Sequence, residues 1–386
     1  MKKIKRLFSG AVALLLLFPL LVLSAAADEP TTGTTTAMPD EYTALLEAIP
    51  EDLQSLLPEG LFSSDPDEVG DAVREMSDFS RLLQTLLSLV GAKLGDCLSI
   101  LGSVAGLLIL SAVCNAVRSS FRSETVGRAF SFCATLVITL ALLTQSYCSI
   151  ESVTSYFSNL GTLTGAALPL MGALYAMGGN VSVAVVSASG LSIFMTLLET
   201  FVCRSIVPFC GVCMAFSLVN SLDPSLRTGT LLSTVKKNYT TALAFLMMLL
   251  LAMLATQTTL AARSDTLLMR SAKFAAGNVI PVVGGSVSEL LRTVSASVGY
   301  LRGTVGICGI LLLLLMLLPT LVELLLLRMT WQLSASLADL LGCDTQKKLL
   351  DEFASLLGYL VTAVCICSSV LMLSLSLLTH CASAIG

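Results

Sequence analysis

The stretch Ala276-Gly-Asn-Val-Ile-Pro-Val-Val-Gly-Gly285 decides how this chain is interpreted. It places a proline, three glycines and an asparagine inside an otherwise apolar region of membrane length. Proline removes a backbone donor and glycine weakens a helix, and in hydrocarbon every freed backbone group needs a partner inside the protein. We therefore predict a broken helix or a re-entrant turn, buried against other helices or facing a wet cavity. Such a break suits an ion or solute pathway, and it equally suits a tightly packed structural bundle.

The composition around this stretch is that of a membrane protein. The chain has 386 residues, of which only 12% are charged, and its mean hydropathy is +0.87. Soluble domains carry about a quarter charged residues, and several windows here reach the roughly 20 apolar residues that cross a bilayer. The sequence predicts an all-α, polytopic helical membrane protein. The expected crossings are 97–117, 129–148, 161–177, 181–201, 205–221, 239–261, 274–290, 292–312, 313–333 and 354–379.

Residues 1–27 have the pattern of a signal peptide. Four basic residues precede the apolar core Leu7 to Leu23, and Ala25-Ala26-Ala27 offers a cleavage site. An uncleaved first transmembrane helix is the alternative, and both place the chain from Asp28 onward outside the cytoplasm.

Residues 28–92 form an acidic extracytoplasmic segment. Fourteen Asp and Glu residues stand against two Arg residues, a net charge of −12. Such a charge disfavours contact with anionic lipid and nucleic acid. The segment is either a solvated spacer or a docking site for a basic partner. Pro50, Pro58 and Pro66 punctuate short predicted helices, and an apolar face at residues 82–90 either follows the interface or continues into the first crossing.

Positive loops suggest an orientation. Arg118, Arg122 and Arg128 are predicted to be cytoplasmic, and residues 149–160 to form an outside loop. The next positive loop, with Arg227, Lys236 and Lys237, is also cytoplasmic if three crossings separate it from that outside loop. The basic cluster at 263–273 does not fit this arrangement.

Landmarks recur about 111 residues apart. Pro169-Leu-Met-Gly172 resembles Pro281-Val-Val-Gly284, and Thr234-Val-Lys-Lys237 resembles Thr345-Gln-Lys-Lys348. We predict a first transmembrane hairpin at 93–160, followed by a duplication of 161–262 and 272–380. If both lysine pairs are cytoplasmic, the copies run parallel, and the breaks at Pro169 and Pro281 face each other between them.

Ionisable residues inside apolar runs are the other candidates. Glu199, Arg204, Glu323 and Arg328 either pair across helices that line a polar path or reach to the interface from helix ends. The spacing of five residues within Glu199–Arg204 and Glu323–Arg328 is not ideal for pairing along one helix. The candidate pathway or packing residues are Pro169, Gly172, Asn278, Pro281, Gly284, Gly285, Glu289, Glu199, Arg204, Glu323 and Arg328.

No constellation for catalysis, a cofactor or a metal is recognisable in the sequence. There is no Gly-x-Ser-x-Gly, His-Glu-x-x-His or phosphate-binding lysine loop. Cys210-x-x-Cys213 has redox or metal spacing, but it lies in an apolar segment, and the chain's one histidine is His380. We expect packing cysteines, no cofactor and no enzyme.

The order of these features resembles the stage III sporulation protein AE family of endospore-forming Firmicutes. The likeness covers most of residues 90–380, and its most specific part is Asn-x-x-Pro-x-x-Gly-Gly at 278–285. The resemblance implies residence in the mother-cell membrane around the forespore, in a channel or feeding-tube complex that supports late forespore gene expression. It implies other stage III A-operon proteins as partners, and stage II sporulation protein Q indirectly. A stand-alone secondary transporter and a non-conducting assembly scaffold remain the alternatives.

Overall fold

The computed structural model describes residues 41–54, 57–63, 65–118, 124–177, 189–190, 192–193, 197, 204–222, 229–249, 251–252, 255–256 and 284–383. These residues form helices and turns, and no strand occurs among them. Four of the helices are long and apolar enough to cross a membrane: Ser80–Val113, Thr135–Tyr175, Gly303–Leu340 and Asp344–Ser376. The predicted all-α, polytopic class is confirmed. The proposed signal peptide lies outside the described residues.

The N-terminal segment folds into short helices, as its prolines predict. They are α1 (Glu41–Glu47), α2 (Glu51–Gln54), a 3-10 turn (Glu59–Phe62) and α3 (Pro66–Ser77). At the start of α3, Asp65 accepts a hydrogen bond from the Asp67 backbone N–H, and Pro66 occupies the first helical position, where no backbone donor is needed.

Two long helices follow. Helix α4 (Phe79–Arg118) includes both the apolar face at 82–90 and the first membrane helix. Of the two predicted alternatives, the one in which this face continues into the first crossing is therefore correct. Helix α5 (Glu124–Met177) contains the predicted outside loop at 149–160, so the prediction of a loop there was wrong. Ser149 and Thr154 of this stretch donate to the Gln145 and Ile150 carbonyls of their own helix instead of ending it.

The predicted break at Pro169 is also absent, because α5 is helical on both sides of this proline. A proline inside a helix removes one hydrogen bond and crowds the carbonyl four residues earlier. That earlier residue is Gly165, around which an added Cβ would meet nothing within 4 Å. Leu170 and Leu174 are fully buried just beyond the proline, and their packing offsets the lost bond.

The remaining described helices are α6 (Arg204–Leu222), α7 (229–249), α8 (Gly284–Leu340) and α9 (Asp344–Ser383). Helix α8 joins stretches that the sequence divided among three crossings. Its apolar run from 310 to 318 is buried on all sides, so the hydrophobicity that suggested separate lipid-facing spans serves the interior instead.

A tight turn connects α8 to α9. The Cys343 N–H donates to the Ala338 carbonyl at 2.9 Å, and the Gly342 N–H donates to the Asp339 carbonyl at 3.1 Å. Gly342 has φ of +70°, a left-handed conformation that glycine adopts without a side-chain penalty. This is a Schellman ending, and it places α9 antiparallel to α8.

Two polar contacts fix α4 and α5 against this hairpin. One contact involves Glu323 in the middle of α8, and the other involves Gln346 at the start of α9. Along α4, Lys93 contacts Glu323 and the later Ser111 contacts Gln346. Along α5 the order is reversed, because Thr135 contacts Gln346 and the later Ser152 contacts Glu323. Helix α4 therefore runs parallel to α8, and α5 runs antiparallel to it.

Candidate functional site

Glu323 joins three helices in the middle of the bundle. Lys93 of α4 donates to its Oε2 at 3.1 Å, and Ser152 of α5 donates to its Oε1 at 3.1 Å. The carboxylate is about one quarter exposed. Because Glu323 lies far from either end of α8, the structure favours pairing across helices over the alternative of a charge reaching out from a helix end.

Arg328 lies against a glycine of the neighbouring helix. A Cβ added at Gly358 of α9 would stand 3.0 Å from the Arg328 Cζ and 3.2 Å from both terminal nitrogens. Helical geometry therefore places the planar guanidinium group in the space that a side chain at 358 would fill. Sequence reasoning identified Arg328 but not the glycine that accommodates it.

A second ion pair joins α7 to α9. The Lys236 Nζ donates to Glu352 Oε2 at 2.8 Å and lies 5.9 Å from the centre of the Tyr359 ring. The Lys236 side chain is only 3% exposed, whereas that of Glu352 is 31% exposed. Lys236 and Lys237 lie in α7 and not in the predicted loop, and Lys236 is buried. The cytoplasmic side of this region stays a prediction. No sequence signal pointed to Glu352, because the pair is separated by more than a hundred residues.

Aromatic packing holds α6 against α7 beside this pair. The Phe209 and Tyr239 rings stack with centroids 3.9 Å apart, and the Tyr239 and Ser205 hydroxyls lie 2.9 Å apart. Cys210 and Cys213 are buried free thiols next to them. Among the residues described, no group of three potential metal ligands comes together.

Buried hydroxyl and amide groups form further contacts between helices. Gln346 donates to the Ser111 and Thr135 hydroxyls at 3.3 and 3.2 Å. The Tyr156 and Ser368 hydroxyls lie 2.6 Å apart between α5 and α9. These contacts bring together side chains more than 200 positions apart, so no local pattern could have predicted them.

The acidic N-terminal segment packs on the bundle through its apolar side. Tyr42 donates to the Leu61 carbonyl at 2.8 Å, contacts the Cys308 thiol of α8, and has its pKa raised by burial. Leu45 lines an apolar cavity of about 20 Å³ together with residues of α5, α8 and α9, among them Leu163, Val305 and Leu375. The acidic side chains described in this segment remain exposed, for example Glu47, Asp67, Glu68, Asp71 and Glu75. Residues 41–77 are thus a docked acidic surface and not a free spacer.

The other predicted site residues are scattered. Pro169 is exposed, Gly172 has open space around it, and Arg204 is the exposed first residue of α6. Gly284, Gly285 and Glu289 lie at the start of α8, where the structure describes the backbone alone. Glu199, Asn278 and Pro281 fall outside the described residues. Because α5 continues through Pro169, no pair of facing breaks at Pro169 and Pro281 is formed as predicted. The break at Pro281 and the duplication stay predictions.

Comparison with known proteins matches the bundle as a whole. The family model for stage III sporulation protein AE matches residues 69–383, from α3 to the last residue of α9. The stage III sporulation protein AE of Bacillus subtilis (strain 168) is 24% identical over 279 residues, which are 72% of this chain and 70% of the relative. No solved structure matches the chain significantly.

Proposed function

The chain belongs to the stage III sporulation protein AE family, and we propose that it is a membrane-embedded component of the channel complex between mother cell and forespore. A role in sporulation and a place in a membrane follow from the family and from the four apolar helices. The channel complex, the mother-cell membrane around the forespore and support of late forespore gene expression are the further steps of the proposal. The observation that carries it is the family match over 69–383, which includes every membrane helix described.

Within that complex we assign the chain the part of a non-catalytic assembly platform. Glu323 of the membrane helix α8 and the buried Lys236 of α7 both form bonds that tie helices together. The acidic segment is docked on the bundle, which gives it a fixed position from which to meet partners. Partners of the proposal are the other stage III A-operon proteins, with stage II sporulation protein Q engaged indirectly from the forespore side.

Deletion of the gene followed by microscopy of sporulating cells tests the proposal. We expect engulfed forespores that fail to develop and do not switch on late genes. Normal spores from the deletion strain would overturn it.

Replacing Glu323 with Gln separates the platform from a conducting path. If Glu323 ties α4 and α5 to α8, the amount of the variant in the membrane falls, its partners no longer co-purify with it, and spore formation fails. If Glu323 lines a path, spore formation fails while level and co-purification stay normal. Solute flux by the purified protein alone in liposomes would instead favour a stand-alone transporter.

A further inference from the structure

Four hydroxyl and indole groups buried in one part of the bundle have no protein partner among the described residues. They are Thr139 Oγ1 and Ser146 Oγ of α5, and Trp331 Nε1 and Ser334 Oγ of α8. Trp331 and Ser334 are 0% exposed, Ser146 is 1% exposed and Thr139 is 4% exposed. Buried polar groups in folded proteins almost always have a hydrogen-bond partner, whether protein or ordered water.

These atoms lie between the two polar contacts that fix the helices. Along α5, Ser146 and Thr139 lie between Ser152, which bonds Glu323, and Thr135, which bonds Gln346. Along α8, Trp331 and Ser334 follow Glu323 and precede the turn that leads to Gln346. We name this part of the bundle, between the Glu323 and Gln346 contacts, the polar segment.

The register of the two antiparallel helices places the two α8 groups at heights between those of the two α5 groups. We count heights along the bundle axis from the Glu323–Ser152 contact towards Gln346, at about 1.5 Å per residue. Ser146 then lies at roughly 9 Å, Trp331 at roughly 12 Å, Ser334 at roughly 16 Å and Thr139 at roughly 20 Å. Trp331 and Ser334 of α8 thus lie at heights between Ser146 and Thr139 of α5, and successive groups differ in height by about 3 to 5 Å, a spacing that bridging water molecules can cover.

Burial elsewhere in the bundle shows that such groups can be satisfied by the protein itself. Beyond Glu323, towards α1, the buried hydroxyls of Thr164, Ser368 and Ser374 each donate to a carbonyl four residues earlier in their own helix. The indole N–H of Trp331 has no such option, because a helix offers it no acceptor within reach of its own backbone. The Trp331 N–H therefore requires an acceptor from outside α8. A nearby serine or threonine hydroxyl, which both donates and accepts, can bond to the same acceptor.

We propose that the polar segment is an internal hydration site: ordered water molecules between α5 and α8 accept from Trp331 Nε1 and bridge to Ser146, Ser334 and Thr139. Nothing in the proposed platform role requires this site, and the site does not depend on that role. It gives the bundle a wet interior in one part and a dry interior in the other.

The chain has one tryptophan, so a single indole reports on the site. The experiment uses the full chain in nanodiscs with 15N-labelled tryptophan and measures magnetisation transfer from water to the indole N–H. We expect rapid transfer in the native chain. Loss or marked slowing of transfer is expected in the Ser146→Ala, Ser334→Ala double variant, together with a blue shift of tryptophan fluorescence.

A matched control puts the indole in the dry part. Trp331→Phe combined with Phe157→Trp moves the only tryptophan to a site that is 2% exposed among apolar neighbours, where slow transfer is expected. Equal and slow transfer at 331 and 157 in otherwise native chains would overturn the proposal. The comparison of Trp331 in the native chain with the tryptophan at 157 does not use the serine variants. It therefore tests the proposal even if those variants fail to fold.

Discussion

The two ends of the same helical bundle solve burial in different ways. In the part nearest α1, which we call the apolar segment, α5, α8 and α9 meet through leucines such as Leu163, Leu170 and Leu313. The buried hydroxyls noted there bond within their own helices, and Tyr156–Ser368 is a further contact between α5 and α9. In the polar segment, helices are linked by Glu323, Gln346 and the nearby Lys236–Glu352 pair. The difference teaches that apolar packing fills the bundle, whereas polar contacts fix which residues lie opposite one another. Apolar faces tolerate sliding better than a carboxylate or an amide with defined partners does.

The largest expected effect comes from breaking the Lys236–Glu352 pair on one side. Glu352→Gln leaves a nearly buried lysine charge without its counter-charge, so we expect a loss of about 3 kcal/mol in unfolding free energy. Thermal or denaturant unfolding in detergent measures it. The double change Lys236→Met, Glu352→Gln should recover most of the loss. A single variant as stable as the native chain would show that the pair contributes nothing to holding α7 on α9.

Next in size is a cavity in the apolar segment. Leu170→Ala removes a fully buried side chain, and we expect a loss of about 2.5 kcal/mol in unfolding free energy. Leu140→Ala is the control, because Leu140 is 67% exposed on the same helix and its truncation should cost far less. Equal losses at both positions would mean that the apolar segment is not packed as described.

A smaller effect is expected where Arg328 meets α9. Gly358→Ala forces the guanidinium to move by a few tenths of an ångström, so we expect a loss of about 1 kcal/mol despite the better helix propensity of alanine. Gly172→Ala is matched to it, since open space surrounds that glycine, and it should be neutral or slightly stabilising. If the two variants unfold alike, the close approach of Arg328 is not a constraint.

The smallest expected effect is that of Ser146→Ala, and the sign of its change in unfolding free energy distinguishes a hydrated interior from a dry one. In a hydrated polar segment Ser146→Ala removes a bridged hydroxyl and should cost about 0.5 kcal/mol, whereas in a dry one it removes an unsatisfied group and should stabilise the protein. Thr164→Val in the apolar segment serves as the reference, because its hydroxyl is satisfied within its own helix. A clear gain in stability at Ser146 would favour the dry interior.

Much of the fold was predictable because it depends on local signals. Composition indicated membrane helices, and Pro50, Pro58 and Pro66 correctly marked the short N-terminal elements. The same rule failed at Pro169, where buried leucines carry the helix through a proline. Helix ends inside apolar runs were misplaced, since hydrophobicity alone does not distinguish a side chain facing lipid from one facing another helix.

The candidate site was predictable only in part. Glu323 and Arg328 were conspicuous because charges are rare in apolar runs. Their partners Lys93, Ser152 and Gly358 were not, because they come from distant segments and carry no signal of their own. The predicted helix break at Asn278 and Pro281 lies outside the residues that the structure describes and stays a prediction.

The turn at Gly342 has a consequence for the order in which the chain assembles during membrane insertion. Helices α8 and α9 are joined by only three residues, whereas Lys93 must find Glu323 across 230 positions. Local pairing carries a far smaller loop-closure cost than distant pairing. We therefore expect the α8–α9 hairpin to form a template onto which the earlier helices settle, and a chain that stops before Gly342 lacks α9 and the interior contacts that α9 supplies.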